Sequence, residues 1–285
     1  MGNSADLAKF GSPNYPMPAF LAKMHAVYGD VVRLWLGSLL LGTDKLAVAF
    51  LDPVDWRELF DKAPHRAKAA ASSRFADFLG EDNLLFQRGD MIKQLRLRYG
   101  RSVATPEAVR ALHRIVTDAM TKASVNWHRG TVDFGSETLF ILYDVMGEFL
   151  FKLPWSHHSL GGKIRDLHWR CTKETSKWAA YRITPWWNSD FKDYLRACQD
   201  LRKLCGQLLA ERRAAIEANP SAYENDDSVL TMLVTDVGED GRLFFNEHLA
   251  VSSMIGLMNG AFDTTHATLS WCSCSASLWS WKILR

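Results

Sequence analysis

The sequence predicts a mainly α-helical fold with one small β-hairpin near its start. Three observations predict it. Two short strand-like runs are separated by glycines. Asp-Pro and Thr-Pro pairs stand where helices would begin. Past residue 105, apolar residues recur with helical spacing over most of the chain.

Taken in order, Gly11-Ser-Pro-Asn-Tyr-Pro-Met-Pro18 is Pro-rich, and residues 1–27 read as an extended lead-in arm. Val31–Leu36 and Leu46–Leu51 read as paired strands, with Gly37, Gly42 and Asp44 supplying the turn. Asp52-Pro53 opens a helix that ends before Pro64. Asp is a good N-cap, and Pro at the first helical position gives up only an N–H that has no partner there. Thr105-Pro106-Glu107 repeats the signal and opens a helix with Val109, Leu112, Val116, Ala119 and Met120 on one face. Leu139, Leu142, Val145, Met146, Phe149 and Leu150 predict another helix. Phe191, Leu195, Cys198, Leu201, Cys205 and Leu208 predict one that runs to Asn219-Pro220. A short helix is expected over Val229–Val234. Asn246 caps a long one from about Glu247 to past Leu269. Residues 156–187, rich in His and Trp, show the weakest pattern and read as loops and short helices.

Composition narrows the function classes. The 285 residues are 47% hydrophobic and 23% charged, with net charge +2, so no basic stripe for nucleic acid is expected. No run reaches the ~18 apolar residues of a membrane span, and no signal peptide is visible. A cytoplasmic-side location is the expectation. Five cysteines at irregular spacing read as free thiols, with Cys198 and Cys205 as buried small hydrophobes. The 11 Trp suggest buried interfaces or an apolar ligand site. His157, His158 and His168 read as exposed loop histidines, His266 as an ordinary helix position, and Arg96, Arg98 and Arg101 as a solvated basic face.

The most informative stretch is Met258-Asn-Gly-Ala-Phe-Asp-Thr-Thr265. Gly260 and Ala261 thin one helix face. Thr264 can bond back to the carbonyl of Gly260, which would open the helix locally and leave room for a small ligand. An Asp beside such a gap can relay protons.

Gly260-Ala-Phe-Asp-Thr-Thr265 resembles the central-helix motif of the cytochrome P450 family, Ala/Gly-Gly-x-Asp/Glu-Thr-Thr/Ser. Tyr28–Gly37 resembles that family's first strand, and Asp52-Pro53 follows the second strand as in the family. Leu84-Leu-Phe-Gln-Arg-Gly-Asp-Met-Ile-Lys-Gln-Leu-Arg96 is similar to its Gly-x-x-Trp-x-x-x-Arg segment, with Ile92 in place of the Trp. Asp144–Phe151 is similar to its Asp-Val-Ile-Gly helix. The resemblance implies a haem-thiolate monooxygenase that acts on a small apolar substrate, with electrons from NADPH through a reductase. It carries Asp263 and Thr264 over to proton delivery, Arg96 to a haem propionate, and Gly260 with Ala261 to the thin face over the haem. The family's Glu-x-x-Arg helix and its Phe-x-x-Gly-x-Arg-x-Cys-x-Gly loop, which bears the axial thiolate, do not occur in these residues. The expectation is therefore a partial domain over 28–271, inactive as this chain, with the Ser-, Cys- and Trp-rich residues 272–285 as an aberrant tail. The rival expectation is a non-catalytic helical fragment that binds a lipid or a protein partner.

Overall fold

The structure, a computed structural model, describes residues 17–36, 45–62, 73–87, 89–127, 133–153, 155, 159–179 and 187–283. It divides into two compact units, residues 1–66 and 67–285.

In the first unit, α1 (Met17–Tyr28) precedes an antiparallel pair, β1 (Val31–Leu36) and β2 (Lys45–Phe50). The register sets Val31 opposite Phe50 and Leu36 opposite Lys45. Strand alternation places Val32 and Leu34 inward, where they bury against Phe20 of α1, and leaves Val31 and Arg33 outside. α2 (Pro53–Lys62) starts as the sequence predicts, with the Asp52 carboxylate accepting from the Val54 N–H at 2.7 Å. Trp56 donates to the Phe50 carbonyl at 3.2 Å and meets the Phe50 ring edge-on. The expected turn residues Gly37, Gly42 and Asp44 lie outside the described residues. The extended-arm reading is corrected over Met17–Tyr28. Pro18 falls in the first helical turn, where a missing N–H costs nothing.

The second unit holds α3 (Ser73–Leu79), α4 (Gly89–Val103), α5 (Pro106–Trp127), α6 (Phe134–Phe151) and α7 (Gly161–Ala179). It continues with α8 (Ser189–Ala218), a short 3₁₀ turn (Pro220–Tyr223), α9 (Val229–Thr235) and α10 (Glu247–Ile283). Thr105 and Asn246 cap α5 and α10 as expected, accepting from the N–H groups of Ala108 and Leu249. α10 packs against α6 and α8, and α8 against α7 and α9. Their apolar faces form one core in which Leu201, Cys205, Leu230, Met254, Ile255 and Met258 are fully buried.

The sequence reading needs three further corrections here. Residues 161–179 form one 19-residue helix rather than loops and short helices. Its inward face is Ile164, His168, Cys171 and Thr175, at helical spacing but half polar, so the pattern is invisible to a count of apolar residues. His168 is accordingly a core residue and not an exposed loop histidine. And α10 runs on to Ile283, beyond the point where its apolar period stops. His157 and His158 lie outside the described residues.

Candidate functional site

The motif helix α10 changes character along its length. From Leu249 to Met258 it is almost wholly core. Phe262 is buried on the Tyr143 ring, centroids 4.1 Å apart, and His168 stands edge-on to both. Immediately after, Asp263 and Thr264 are exposed. Thr264 Oγ1 donates to the Gly260 carbonyl at 2.7 Å, the back-bond that the sequence predicts. A Cβ built on Gly260 would meet nothing within 4 Å, so the thin face looks onto open space.

That space belongs to a cleft of about 410 Å³ between α4, α6, α10 and the turn that follows α3. Tyr99 and Val103 of α4, Met146 and Leu150 of α6, and Leu84 and Leu85 of the turn wall it. Gly256, Gly260 and Ala261 give it its α10 side. The turn is held by close approach. Gly80 has φ +91, and a Cβ there would lie 2.0 Å from Ser252 Oγ. Asn83 is buried and donates to the Ser252 carbonyl at 2.7 Å, and a Cβ on Gly256 would stand 1.9 Å from the Asn83 amide nitrogen. These contacts tie the turn to α10 and bring Leu84 and Leu85 over the cleft.

Two buried hydroxyls line the cleft that the sequence did not single out. Tyr99 is 6% exposed and Ser253 2%. Burial pushes the Tyr99 phenol up to about 12, and Ser253 is near enough to offset part of that rise. Yet neither hydroxyl makes a hydrogen bond of normal geometry. None of the residues lining the cleft carries a charge. The signal was present in the sequence only as Tyr99 on the inward face of α4 and Ser253 on that of α10.

The structure thus brings Gly260 and Ala261 to the cleft. Arg96, Asp263 and Thr264 are exposed and do not line it. Arg98 departs from the predicted solvated face: it pairs with Asp236 and lies 3.6 Å over the Phe244 ring. His266 Nε2 donates to the Gly135 carbonyl at 2.8 Å and so ties α10 to the start of α6. The thiols Cys171, Cys198 and Cys205 are buried, Cys272 is exposed, and none of them lines the cleft. Among the described residues no cluster of His, Cys, Asp or Glu could hold a metal ion, and no helix is long and apolar enough to cross a membrane.

Comparison with known proteins gives three findings. The family model described as Cytochrome P450 matches residues 4–272. No curated protein matches the chain. Among solved structures, the retinoic-acid-bound cyanobacterial CYP120A1 superposes with a TM-score of 0.72 at 14% identity, over 94% of this chain and 56% of that one. The likeness is one of fold, and the chain spans about half the length of that structure.

Proposed function

This chain belongs to the cytochrome P450 family, and on that premise we propose that it supplies the proton-delivery side and one flank of the haem site in a monooxygenase acting on an apolar organic molecule. Haem, when bound, supplies the iron at which dioxygen is reduced, with one oxygen atom passing to the substrate and the other leaving as water. The electrons come from NADPH through a reductase partner.

The observation that carries this reading is the thin face at Gly260, beside an uncharged apolar cleft, with the Thr264 hydroxyl turned back onto the Gly260 carbonyl. The cleft suits the apolar flank of a porphyrin. Large side chains wall it on three sides, and glycine leaves the fourth open. Leu84, Leu85 and Leu150 give it apolar walls. Arg96 projects from α4, one turn before Tyr99, and its guanidinium fork suits a propionate carboxylate. Asp263 relays protons through its carboxylate, and Thr264 orders the path inward by fixing its hydroxyl on the helix backbone. None of the described cysteines lines the cleft, where a thiolate would hold the haem iron.

Titration of the purified chain with haem, followed by its Soret absorption, tests the reading. Saturable binding that Arg96→Ala weakens about tenfold is expected, the size of one charge-assisted hydrogen bond. Absence of uptake sinks the reading. These 285 residues contain no thiolate-bearing loop of the family's kind, so the reduced carbon-monoxide complex of the chain alone should lack the thiolate-type band, and the chain alone should turn over no substrate.

The uncharged cleft favours one second reading, a helical module that binds a lipid without haem. A fluorescent lipid bound in place of haem would select it.

A further inference from the structure

Arg165, Trp169 and Lys173 follow one another at every fourth residue of α7, so they share one face of the helix with about 6 Å of rise per step. That face lines a pocket of about 350 Å³ completed by the start of α6 and by His266 of α10. Arg165 lies 5.1 Å over the Phe140 ring, and its Nε donates to Asp166 at 2.9 Å. Its side chain is 25% exposed, and its two terminal nitrogens meet no acceptor among the described residues. The Lys173 ammonium sits 4.5 Å over the Trp169 indole and forms no ion pair among the described residues. The other charged and imidazole groups of the lining are engaged. Asp133 accepts the Ser136 N–H and hydroxyl at 3.3 and 2.7 Å, and His266 donates to the Gly135 carbonyl at 2.8 Å. Open positive donors are thus left beside an aromatic surface, with Phe140 itself 50% exposed.

We propose that this pocket is a second binding site, for a small aromatic monocarboxylate whose ring lies against Trp169 and whose carboxylate meets the Arg165 fork and the Lys173 ammonium. The volume falls within the ~300–1,000 Å³ of small-molecule sites. Each element of the ligand answers a feature of the lining. Trp169, Phe140 and Leu139 suit a flat apolar body, which gains offset or edge contacts from the rings. A planar carboxylate matches the guanidinium fork and forms charge-assisted bonds that a neutral group does not. One negative charge is the limit. Asp133 and Asp166 also line the pocket and balance the two cations, so a polyanion would meet like charges. The site shares no lining residue with the uncharged cleft, and the proposal stands whether or not haem binds there.

Isothermal titration at pH 7.5 with three bicyclic probes tests it: 2-naphthoate, the neutral 2-naphthalenemethanol, and decahydro-2-naphthoate, which keeps the charge and loses the flat ring. One 2-naphthoate per chain is expected, bound at least about tenfold more tightly than the neutral alcohol and about fivefold more tightly than the decahydro acid. In Arg165→Gln/Lys173→Met the naphthoate and the alcohol should bind about equally. Arg165→Lys, which keeps the charge without the fork, should fall between. Ligand-free unfolding midpoints of these variants should match wild type, because exposed charges add little to stability. A merely structural Arg165 would instead lower the midpoint and leave the naphthoate-to-alcohol ratio as it was, and that result overturns the proposal. So does the absence of naphthoate binding, or an affinity untouched by the double variant, which would place the probe in the uncharged cleft. A decahydro acid bound as tightly as naphthoate overturns the aromatic requirement.

Discussion

Two buried polar sites of the second unit, one at the end of α6 and one beside the cleft, are partnered in opposite ways. At the first, Arg212 from α8 is buried with its terminal nitrogens engaged by Asp226 at 2.9 Å and by the Phe151 carbonyl at 3.0 Å. That carbonyl ends α6 and would otherwise go unpaired. Thr231 completes the set by donating to Asp226 at 2.7 Å. Its hydroxyl, with the Ser228 backbone N–H and the Arg212 charge, holds the Asp226 carboxyl below its ordinary value against the opposing effect of burial. At the second site the Tyr99 and Ser253 hydroxyls, buried in the wall of the cleft, make no hydrogen bond of normal geometry. A network that closes on itself serves stability, and a buried pair left poorly bonded adds little to it.

The contrast can be broken by experiment. Arg212→Met strands the Asp226 carboxylate and the Phe151 carbonyl, so about 3–5 kcal/mol of stability should be lost. Urea unfolding measures it, and a loss under about 1 kcal/mol would remove Arg212 from the closed network. Gly256→Ala drives a methyl into the Asn83 amide and lifts the turn off α10. A loss of about 1–3 kcal/mol is expected, together with weaker binding in the cleft, because Leu84 and Leu85 move with the turn. A variant as stable as wild type would show that the turn is not seated there.

Acid sharpens the comparison from the core side. His168 is wholly buried among Phe78, Tyr143 and Phe262, and its ring shares a 2.9 Å hydrogen bond with the Tyr143 hydroxyl. Burial holds its pKa down to about 3 in the folded chain, against about 6.5 unfolded. The unfolded state therefore takes up a proton first. The stabilisation is complete above pH 6.5 and is lost as pH falls toward 3, by up to about 1.4 kcal/mol per unit. About 2 kcal/mol should go between pH 6.5 and 5, with a shallower slope in His168→Phe, and equal slopes would show that His168 titrates normally. The smallest effect belongs to the exposed motif residues. Thr264→Val and Asp263→Asn should each change stability by under about 0.5 kcal/mol. A larger loss by thermal melting would mean that the pair supports the fold itself.

Much of the fold was legible in the sequence because its signals are local. Asp52, Thr105 and Asn246 announce helix starts through side chains that bond their own next turn. The hairpin follows from alternation at Val32 and Leu34. α7 was not legible, because His168 and Thr175 occupy its inward face and find their partners, Tyr143 and Tyr194, on other helices. The candidate site divides in the same way. The Thr264 back-bond spans four residues and was foreseen. The cleft depends on Asn83 meeting Ser252, 169 residues apart, and no periodicity encodes that meeting.

The thiols of Cys171 and Cys198 lie 3.7 Å apart between α7 and α8. Their contact and burial push the Cys171 thiol far up, and burial pushes Cys205 up to about 12. Only a thiolate alkylates readily, so these groups should stay dark to a maleimide until the helix pair parts, while exposed Cys272 labels at once. The chain thus carries a built-in clock for the breathing of its core, with its zero mark on the outside.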